Sequence, residues 1–335
     1  MNWNNGFTAK YYCTVVDPVT WRDQSTFDIT GGSISRTHDG LMESADVDCV
    51  DRRQTKEEWI RIYLDATQPG GAERVALFTG LATSPDRKIN GNLETNPLAC
   101  YSVLKACDDV LLERGWYAPM GAVGSELVKS LLKRSTPAPV ETDGSSPTLT
   151  NYIIAEDGES CLSMAQKILD AINWRVRIDG DGTIHITKKP SKSSAIFDPY
   201  ENDIVLPQIE ASDDWYECPN VLRTIINDSS VVIRDEEGSD LSIKGRGREI
   251  WAEETGCTLS AAESQATYTQ RRLKELQSRS VEVSYKRRYQ PEILVGDLVT
   301  LHYPKQGLQG DYMVLSQTID LGYGAETSEK VKLYE

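Results

Sequence analysis

The fold is decided by a pattern that is clearest in Val295-Gly296-Asp297-Leu298-Val299-Thr300-Leu301. Gly-Asp is a typical turn pair, and the β-branched and leucine-rich run after it predicts a strand that starts at Leu298. Successive side chains of a strand point to opposite faces, so Val299 and Leu301 share one face, which we expect to be buried. A second pair, Gly310-Asp311, predicts another turn before a strand at 312–318.

The first part of the chain repeats this pattern of short strands between turns. Ala45-Asp46-Val47-Asp48-Cys49 alternates strictly, which places Val47 and Cys49 on one face of a strand and Asp46 and Asp48 on the other. Gly31-Gly32 predicts a turn or a bulge, and Asn90-Gly91 predicts a hairpin. Several short strands at this spacing are typical of a barrel or a sandwich.

The segment Pro97–Glu113 fits two structures. Asn96 as a cap and Pro97 in the first turn would begin a helix. The alternation of Leu98, Cys100 and Ser102 with their neighbours favours a strand, and we predict a strand that completes the first β-rich region.

The middle of the chain combines helices with a hairpin. Ser125 is predicted to cap a helix to Arg134, and a Ser-, Thr- and Pro-rich linker follows. Glu159–Ile172 has the apolar spacing of an amphipathic helix. The alternating runs that begin at Trp174 and Ile184 predict a hairpin around Asp179-Gly180-Asp181-Gly182.

The last region again predicts strands, here interrupted by one helix. Strands are expected at Val221–Ile226, 231–234, 281–285 and 330–333. The helix is predicted at 260–277, with Ala266 and Leu273 facing inward and Arg271 and Arg272 facing outward. These patterns divide the chain into residues 1–114, residues 115–206 with a linker at 135–150, and residues 207–335.

Composition limits the classes of function. The chain has 335 residues, 26% of them charged, and no apolar run that approaches the ~20 residues of a membrane helix. Its formal net charge of −15 argues against a nucleic-acid grip, which needs lysine and arginine to neutralise phosphates. The acidic balance fits either simple solubility or a surface that repels a polyanion. The polar start, Met1–Gly6, has no signal-peptide pattern, so synthesis in the cytoplasm is expected.

The sequence contains no complete catalytic or metal-binding motif of the common types. The three histidines have no metal-ligand spacing, and Gly-x-Ser-x-Gly is absent. Asp179–Gly182 resembles the start of a calcium loop, but Pro190 stands where an EF-hand needs glutamate, so a turn is favoured. Gly245-Arg246-Gly247-Arg248 has only the first half of a dinucleotide fingerprint. The seven cysteines contain no Cys-x-x-Cys pair and are expected to be reduced and mostly buried. We therefore expect no catalytic residues, no metal and no cofactor.

Taken in order, these segments resemble the phage tail baseplate hub proteins of the late-control D type, relatives of the base of type VI secretion spikes. None of the segments is catalytic, and their order carries the resemblance. It rests on Thr26–Ile29, Leu77–Leu81, Leu112–Tyr117, Asp157–Ile186, Pro219–Val221, Gly245–Glu249, Ala261–Gln277, Val295–Leu301 and Gly310–Leu315.

The resemblance implies an α+β, β-rich chain in which two tube-type β-barrel domains flank an α/β domain. Three chains would then form a pseudo-six-fold ring that joins the tail tube to the central spike of a virion baseplate. Its expected partners are two further copies, the tube, spike and tape-measure proteins and other baseplate proteins, with DNA passing unbound and no membrane insertion. Asp46 and Asp48 are the candidates for lining the channel. The alternative is that their strand face meets outer solvent.

Two other classes of protein remain as alternatives. A tail-associated peptidase or glycosidase would need a placed nucleophile, a metal set or a carboxylate pair. A carbohydrate-binding β-module would need an aromatic-lined site, which the 8% aromatic content does not decide.

Overall fold

A computed structural model describes residues 1–38, 43–50, 54–83, 88–90, 93–198, 205–213, 215–216, 218–226, 229–257, 259, 263–277 and 281–334. Strands make up most of the regular structure, and the helices are short. The predicted β-rich α+β class is therefore confirmed.

The first region is a closed barrel. It pairs in the order β1-β4-β5-β7-β3-β2, and β2 pairs back to β1, which completes the ring, while β6 pairs with β7 alone. Inward side chains such as Ile60, Ile62 and Leu64 are fully buried, because alternate residues of each strand face the interior. Its strands are β1 (Thr8–Val16), β2 (Asp23–Thr37), β3 (Glu43–Val50), β4 (Glu58–Gln68), β5 (Gly71–Thr83), β6 (Lys88–Asn90) and β7 (Leu93–Ser102).

Several local predictions for this region are settled. Pro97 to Ser102 belongs to strand β7, which confirms the strand for the start of the segment, but Lys105–Asp108 farther along forms a short helix. Gly31-Gly32 forms a bulge in β2, where the register with β3 shifts between Ile29 and Gly31. Of the predicted hairpin pair, Asn90 ends β6 and Gly91 lies outside the described residues.

The middle region packs two longer helices against a small sheet in the order β11-β12-β9, beside a separate β8–β10 ribbon. The predicted long helix is confirmed, and its cap is Ser160, whose side chain accepts a hydrogen bond from Ser163 N at 3.1 Å. The elements are α1 (Lys105–Asp108), β8 (Tyr117–Ala118), α2 (Gly124–Ser135), β9 (Val140–Thr142), β10 (Ile153–Ile154), α3 (Cys161–Ile172), β11 (Trp174–Ile178) and β12 (Ile184–Lys188).

Two predictions for the middle region differ from the structure. Ser125 is inside α2, and Val123 holds the cap position without a side-chain bond. Ser125 instead pairs with Ser146: each backbone N–H donates to the other hydroxyl, at 2.8 and 3.1 Å. Residues 135–150, expected as a linker, include β9, which pairs with β12, and the buried side chain of Leu149. This segment is held in place because its few apolar residues complete the core.

The last region contains two sheets, and two strands of its larger sheet begin before residue 207, at Ala195 and Val205. A six-stranded sheet has the order β13-β19-β20-β21-β18-β14, and a three-stranded sheet, β16-β15-β17, packs against a helix. The strands and helices are β13 (Ala195–Phe197), β14 (Val205–Asp213), β15 (Val221–Ile226), β16 (Ser229–Arg234), α4 (Ile243–Arg246), β17 (Trp251–Thr255), α5 (Gln265–Gln277), β18 (Val281–Arg287), β19 (Leu298–Tyr303), β20 (Leu308–Asp320) and β21 (Thr327–Leu333).

The predicted strand at Leu298 and the burial of its side chains are confirmed, since Val299 and Leu301 are both in the core. The predicted turn at Gly310-Asp311 is wrong, because both residues lie within β20 and pair with β19. The chain reverses earlier, at a 3-10 turn over Pro304–Gln306 that Gly307 ends with a φ of +73°.

The predicted orientation of α5 is only partly right. Leu273 is buried, but Ala266 is exposed. Arg271 and Arg272, expected to face solvent, are half-buried because glutamates surround them; Arg272, for example, lies 2.7 Å from Glu254.

Candidate functional site

The two β-rich regions are fused into one sheet. Ser33–Thr37 of β2 pairs antiparallel with Ser316–Asp320 of β20, although these segments are far apart in sequence. The sheet therefore runs without interruption from β7 through β3, β2, β20, β21 and β18 to β14. Its buried side faces the two cores, and its other side faces solvent.

We call the solvent side of this sheet the polar sheet face. Residues directly opposite each other in neighbouring strands point to the same side, so the registers define its members. One row crosses four strands through Ser35, Thr318, Ser328 and Lys286. The face consists of Asp46, Asp48, Ser33, Ser35, Ser316, Thr318, Ser328, Lys330, Ser284, Lys286 and Glu210. Small hydroxyl side chains dominate its centre, so this surface is polar.

The charges on this face are unevenly matched. Lys286 Nζ lies 2.6 Å from Glu326 Oε1, and this hydrogen bond raises the pKa of the lysine. Lys330 forms an ion pair with Glu282. Asp46 and Asp48 are exposed, and within the described ranges neither has an ion-pair partner. Each lysine is thus paired with a glutamate, whereas the two aspartates have no ion-pair partner among the described residues.

A buried polar chain lies directly beneath the junction of the two regions. Arg36 Nη1 donates to Gln317 Oε1 at 2.8 Å, and Gln317 Nε2 donates to Glu329 Oε1 at 2.8 Å. Arg287 completes the chain with bonds of 2.9 and 2.5 Å to the Glu329 carboxylate. The chain links β2 to β20, β21 and β18, so both regions share one hydrogen-bonded network.

Burial in this network changes the acidity of its neighbours. Burial raises the pKa of Tyr285 well above its usual value, and the Glu329 carboxylate raises it further. Burial also raises the pKa of Glu43, although Arg36 Nε, 3.2 Å away, acts against it. These shifts follow from packing charged groups at a structural joint.

The Asp179–Gly182 turn docks the middle region onto the first barrel. Thr79 Oγ1 donates to the Gly180 carbonyl at 2.8 Å, and Arg61 Nη2 donates to the Asp181 carbonyl at 2.9 Å. A Cβ atom on Gly180 would lie 1.8 Å from the Ala76 carbonyl oxygen, so only glycine fits. The turn that resembles a calcium loop is thus a docking element.

The Gly296-Asp297 pair performs the same role toward the second region. Arg175 Nη2 lies 2.6 Å from Asp297 Oδ1, and both side chains are buried. Gly296 has a φ of +81°, and a Cβ atom there would lie 2.8 Å from Arg175 Nη1. This contact explains why Gly and Asp stand before the strand: the turn must receive an arginine of the middle region.

The described residues show no arrangement typical of an active site. They contain no group of three or more His, Cys, Asp or Glu side chains that could hold a metal ion. His185 Nε2 lies 3.1 Å from Asp179 Oδ2, at the turn that contacts the first barrel. A groove of about 620 Å³ on the polar sheet face is lined by Ser284, Ser328 and ion-paired lysines. None of the described helices has the length and apolar character needed to cross a membrane.

Sequence reasoning identified Asp46 and Asp48 as a pair on one strand face, and the structure places both there, exposed. It missed the β2–β20 pairing that extends this face. A usable signal existed: the small hydroxyls Ser33, Ser35, Ser316 and Thr318 alternate with residues that are buried.

This architecture is similar in fold to several phage tail proteins of known structure. A 43 kDa tail protein of prophage MuSo2 from Shewanella oneidensis superposes with a TM-score of 0.69 at 12% identity, covering 97% of this chain and 98% of that one. A tail protein of Neisseria meningitidis gives 0.70 at 12% identity, covering 97% and 96%. A type VI secretion component of E. coli, described as similar to the T4 phage tail proteins gp27 and gp5, gives 0.54 at 10%, covering 93% and 75%.

The sequence itself matches no protein-family model and no curated protein. The likeness is one of fold, and it extends over almost the whole chain. It confirms the resemblance to tail baseplate proteins that the order of short sequence segments indicated.

Proposed function

We propose that this chain is a structural hub subunit of a phage or phage-like tail baseplate. Three copies form a pseudo-six-fold ring that joins the tail tube to the central spike and lets DNA pass. The observation that carries this proposal is the continuous sheet, which gives two β-rich regions one uninterrupted polar face. The shared fold with phage tail proteins supports the same role.

In the proposed ring, neighbouring copies join through strand edges at the two ends of this sheet. In the part of the chain that the structure describes, β14 pairs only with β18, and β6 pairs only with β7. A head-to-tail ring needs two different complementary edges on each subunit, and unpaired strand edges can supply them. In the proposed ring, the β14 edge of one copy meets the β6 edge of the next.

The polar sheet face lines the channel in this arrangement. Duplex DNA carries one negative charge per ~1.7 Å, so unpaired lysine or arginine on the wall would retain it. The lysines of the face are held by glutamates, and Asp46 and Asp48 add negative charge. A wall of hydroxyls and carboxylates offers DNA no strong attachment.

The remaining roles follow from the hub position. The tube protein and the spike protein bind opposite sides of the ring, other baseplate proteins bind its outside, and the tape-measure protein meets it during assembly. The chain acts in the virion tail without catalysis and without a cofactor.

Electron microscopy of the purified protein tests the ring directly. We expect negative-stain images to show rings with a central hole, and light scattering to give the mass of three chains at high concentration. Particles that stay monomeric or dimeric, even with the tube and spike proteins added, would contradict the proposal. Clearing of cell-wall suspensions by the pure protein would favour the hydrolase instead.

The channel face is tested by reversing its charge. We expect Asp46→Lys with Asp48→Lys to leave folding and assembly intact and to lower DNA delivery, because the wall then attracts phosphates. The matched control is Glu236→Lys with Glu237→Lys, which makes the same charge change at exposed positions in the loop after β16. Normal delivery by the first variant would remove Asp46 and Asp48 from the channel.

A further inference from the structure

An exposed apolar surface lies on the middle region, away from the continuous sheet. We call it the ribbon patch and define it by Tyr117, Tyr152 and Ile154. Tyr117 and Ile154 are directly opposite each other in the β8–β10 ribbon, and the rings of Tyr117 and Tyr152 are 5.7 Å apart. Their exposed fractions are 52%, 58% and 68%. Large apolar side chains exposed together mark an interaction site.

One end of the ribbon patch is acidic. The segment that follows β10 carries Glu156, Asp157 and Glu159, and the cations paired with them are Lys167 and Arg114. Lys167 is shared by the exposed Glu156 and the buried Glu159, so three carboxylates, two of them exposed, meet two cations at this end. The patch combines an apolar centre with a surplus of negative charge.

A second unusual surface lies on the three-stranded sheet. Helix α5 covers one side, where the Thr224 and Thr269 hydroxyls are 2.7 Å apart. The other side presents Trp251, which is 44% exposed and has Arg223 and Arg234 within 5.2 and 5.0 Å of its ring centre. We call this side the arginine–tryptophan face.

Further cations adjoin this face. Arg248 lies 5.7 Å from the ring centre of Tyr216, which is 75% exposed. Arg246 donates to the Trp215 carbonyl and, at 2.7 Å, to the Cys218 carbonyl. In the described part of the chain, no carboxylate lies within ion-pair distance of Arg246 or Arg248. This face and its border thus hold four guanidiniums. Two of them pair with carboxylates, Arg223 with Glu253 and Arg234 with Glu249.

We propose that the ribbon patch of one copy binds the arginine–tryptophan face of the next copy, as an outer contact of the ring. The inference rests on the proposed function, since a head-to-tail ring needs two different surfaces on each chain. These two surfaces are both apolar at the centre and opposite in surplus charge. Tyrosine, tryptophan and arginine are also the residues that contribute most to the stability of protein interfaces.

Photo-crosslinking of the full chain identifies the occupant. Benzoylphenylalanine placed at Tyr152, in a mixture of isotopically heavy and light protein, should yield heavy–light peptide pairs that reach residues 215–253. The matched probe at Tyr323, which is 94% exposed on a different region, should not reach them. Crosslinks within one copy, or to added tube or spike protein, would overturn the contact.

A variant separates this contact from the ring itself. Tyr152→Ser with Ile154→Ser should weaken trimer formation about tenfold or more, the loss expected for interface hot spots, without changing thermal stability. Tyr323→Ser should leave trimer formation unchanged. If rings form and the double variant associates as tightly as the natural chain, only this contact fails. If no ring forms from the natural chain, the proposed function and this contact both fail.

Discussion

The two β-rich regions differ in how they complete the edges of their sheets. In the first, β1 pairs with both β4 and β2, so every strand of the ring has two neighbours. In the second, the described sheet ends at β13 and β14. Both regions bury an ion pair beside an apolar core, Arg36 with Glu43 in the first and Arg287 with Glu329 in the second, and only the second pair is fully buried on both sides. Among the described strands, the closed ring of the barrel leaves an edge only at the short strand β6, whereas the open sheet keeps edges at both of its ends.

The largest expected effect comes from breaking the buried ion pair of the open sheet. Arg287→Met leaves the Glu329 carboxylate buried and unpaired, which typically costs about 3–5 kcal/mol. We expect the free energy of unfolding, measured in urea, to fall by that amount. The double variant Arg287→Met with Glu329→Leu should recover much of the loss. Equal instability of both variants would show that packing, not the unpaired charge, is decisive.

Truncation of a core leucine compares the two interiors directly. Leu301→Ala in the open sheet and Leu64→Ala in the closed barrel should each lower the free energy of unfolding by about 2–5 kcal/mol, because both side chains are fully buried. Ile196→Ala, at an exposed position of β13, should change it by less than about 0.5 kcal/mol. An unchanged melting temperature for Leu301→Ala would contradict its inward placement.

A smaller effect tests how the middle region attaches to the open sheet. Gly307→Ala forces alanine into a left-handed conformation, which costs roughly 1–2 kcal/mol, in otherwise open space. Gly296→Ala carries the same penalty and also displaces Arg175, so its loss in thermal unfolding should be larger. Equal losses would mean that the arginine moves aside without cost.

The smallest expected effect concerns the turn between β1 and β2, the two strands whose pairing closes the first barrel. Hydrogen bonds from the backbone N–H groups of Val19 and Thr20 hold the pKa of Asp17 below its usual value. A lowered carboxyl pKa stabilises the fold above the unfolded-state pKa, and this contribution is lost as pH falls through the folded-state pKa. Asp17→Asn should therefore narrow the difference between melting temperatures at neutral and strongly acidic pH. A difference equal to that of the natural chain would contradict the role of the charge.

Local elements were predictable where one physical signal dominated. The amphipathic spacing of α3 and the alternation of β11 and β12 are set within a few residues. The predictions failed where the same residue types fit two different local structures. Gly310-Asp311 has turn chemistry but lies within β20, because Pro304 and Gly307 had already reversed the chain. Ser125 has cap chemistry but bonds to Ser146 instead.

The joints of the molecule were not predictable, because they depend on residues far apart in the chain. The pairing of β2 with β20 and the Arg175–Asp297 ion pair have no local pattern. Asp46 and Asp48 were found because both stand on one strand. The rest of the polar sheet face requires the registers of strands from both ends of the sequence.

The β2–β20 junction also has a mechanical consequence. Hydrogen bonds of an antiparallel pair lie perpendicular to the strands. A force that slides one region past the other along β2 therefore loads the whole stretch from Ser33 to Thr37 at once. A force that peels the strands apart would open the same bonds one after another. The two β-rich regions are thus coupled stiffly against shear and more weakly against peeling.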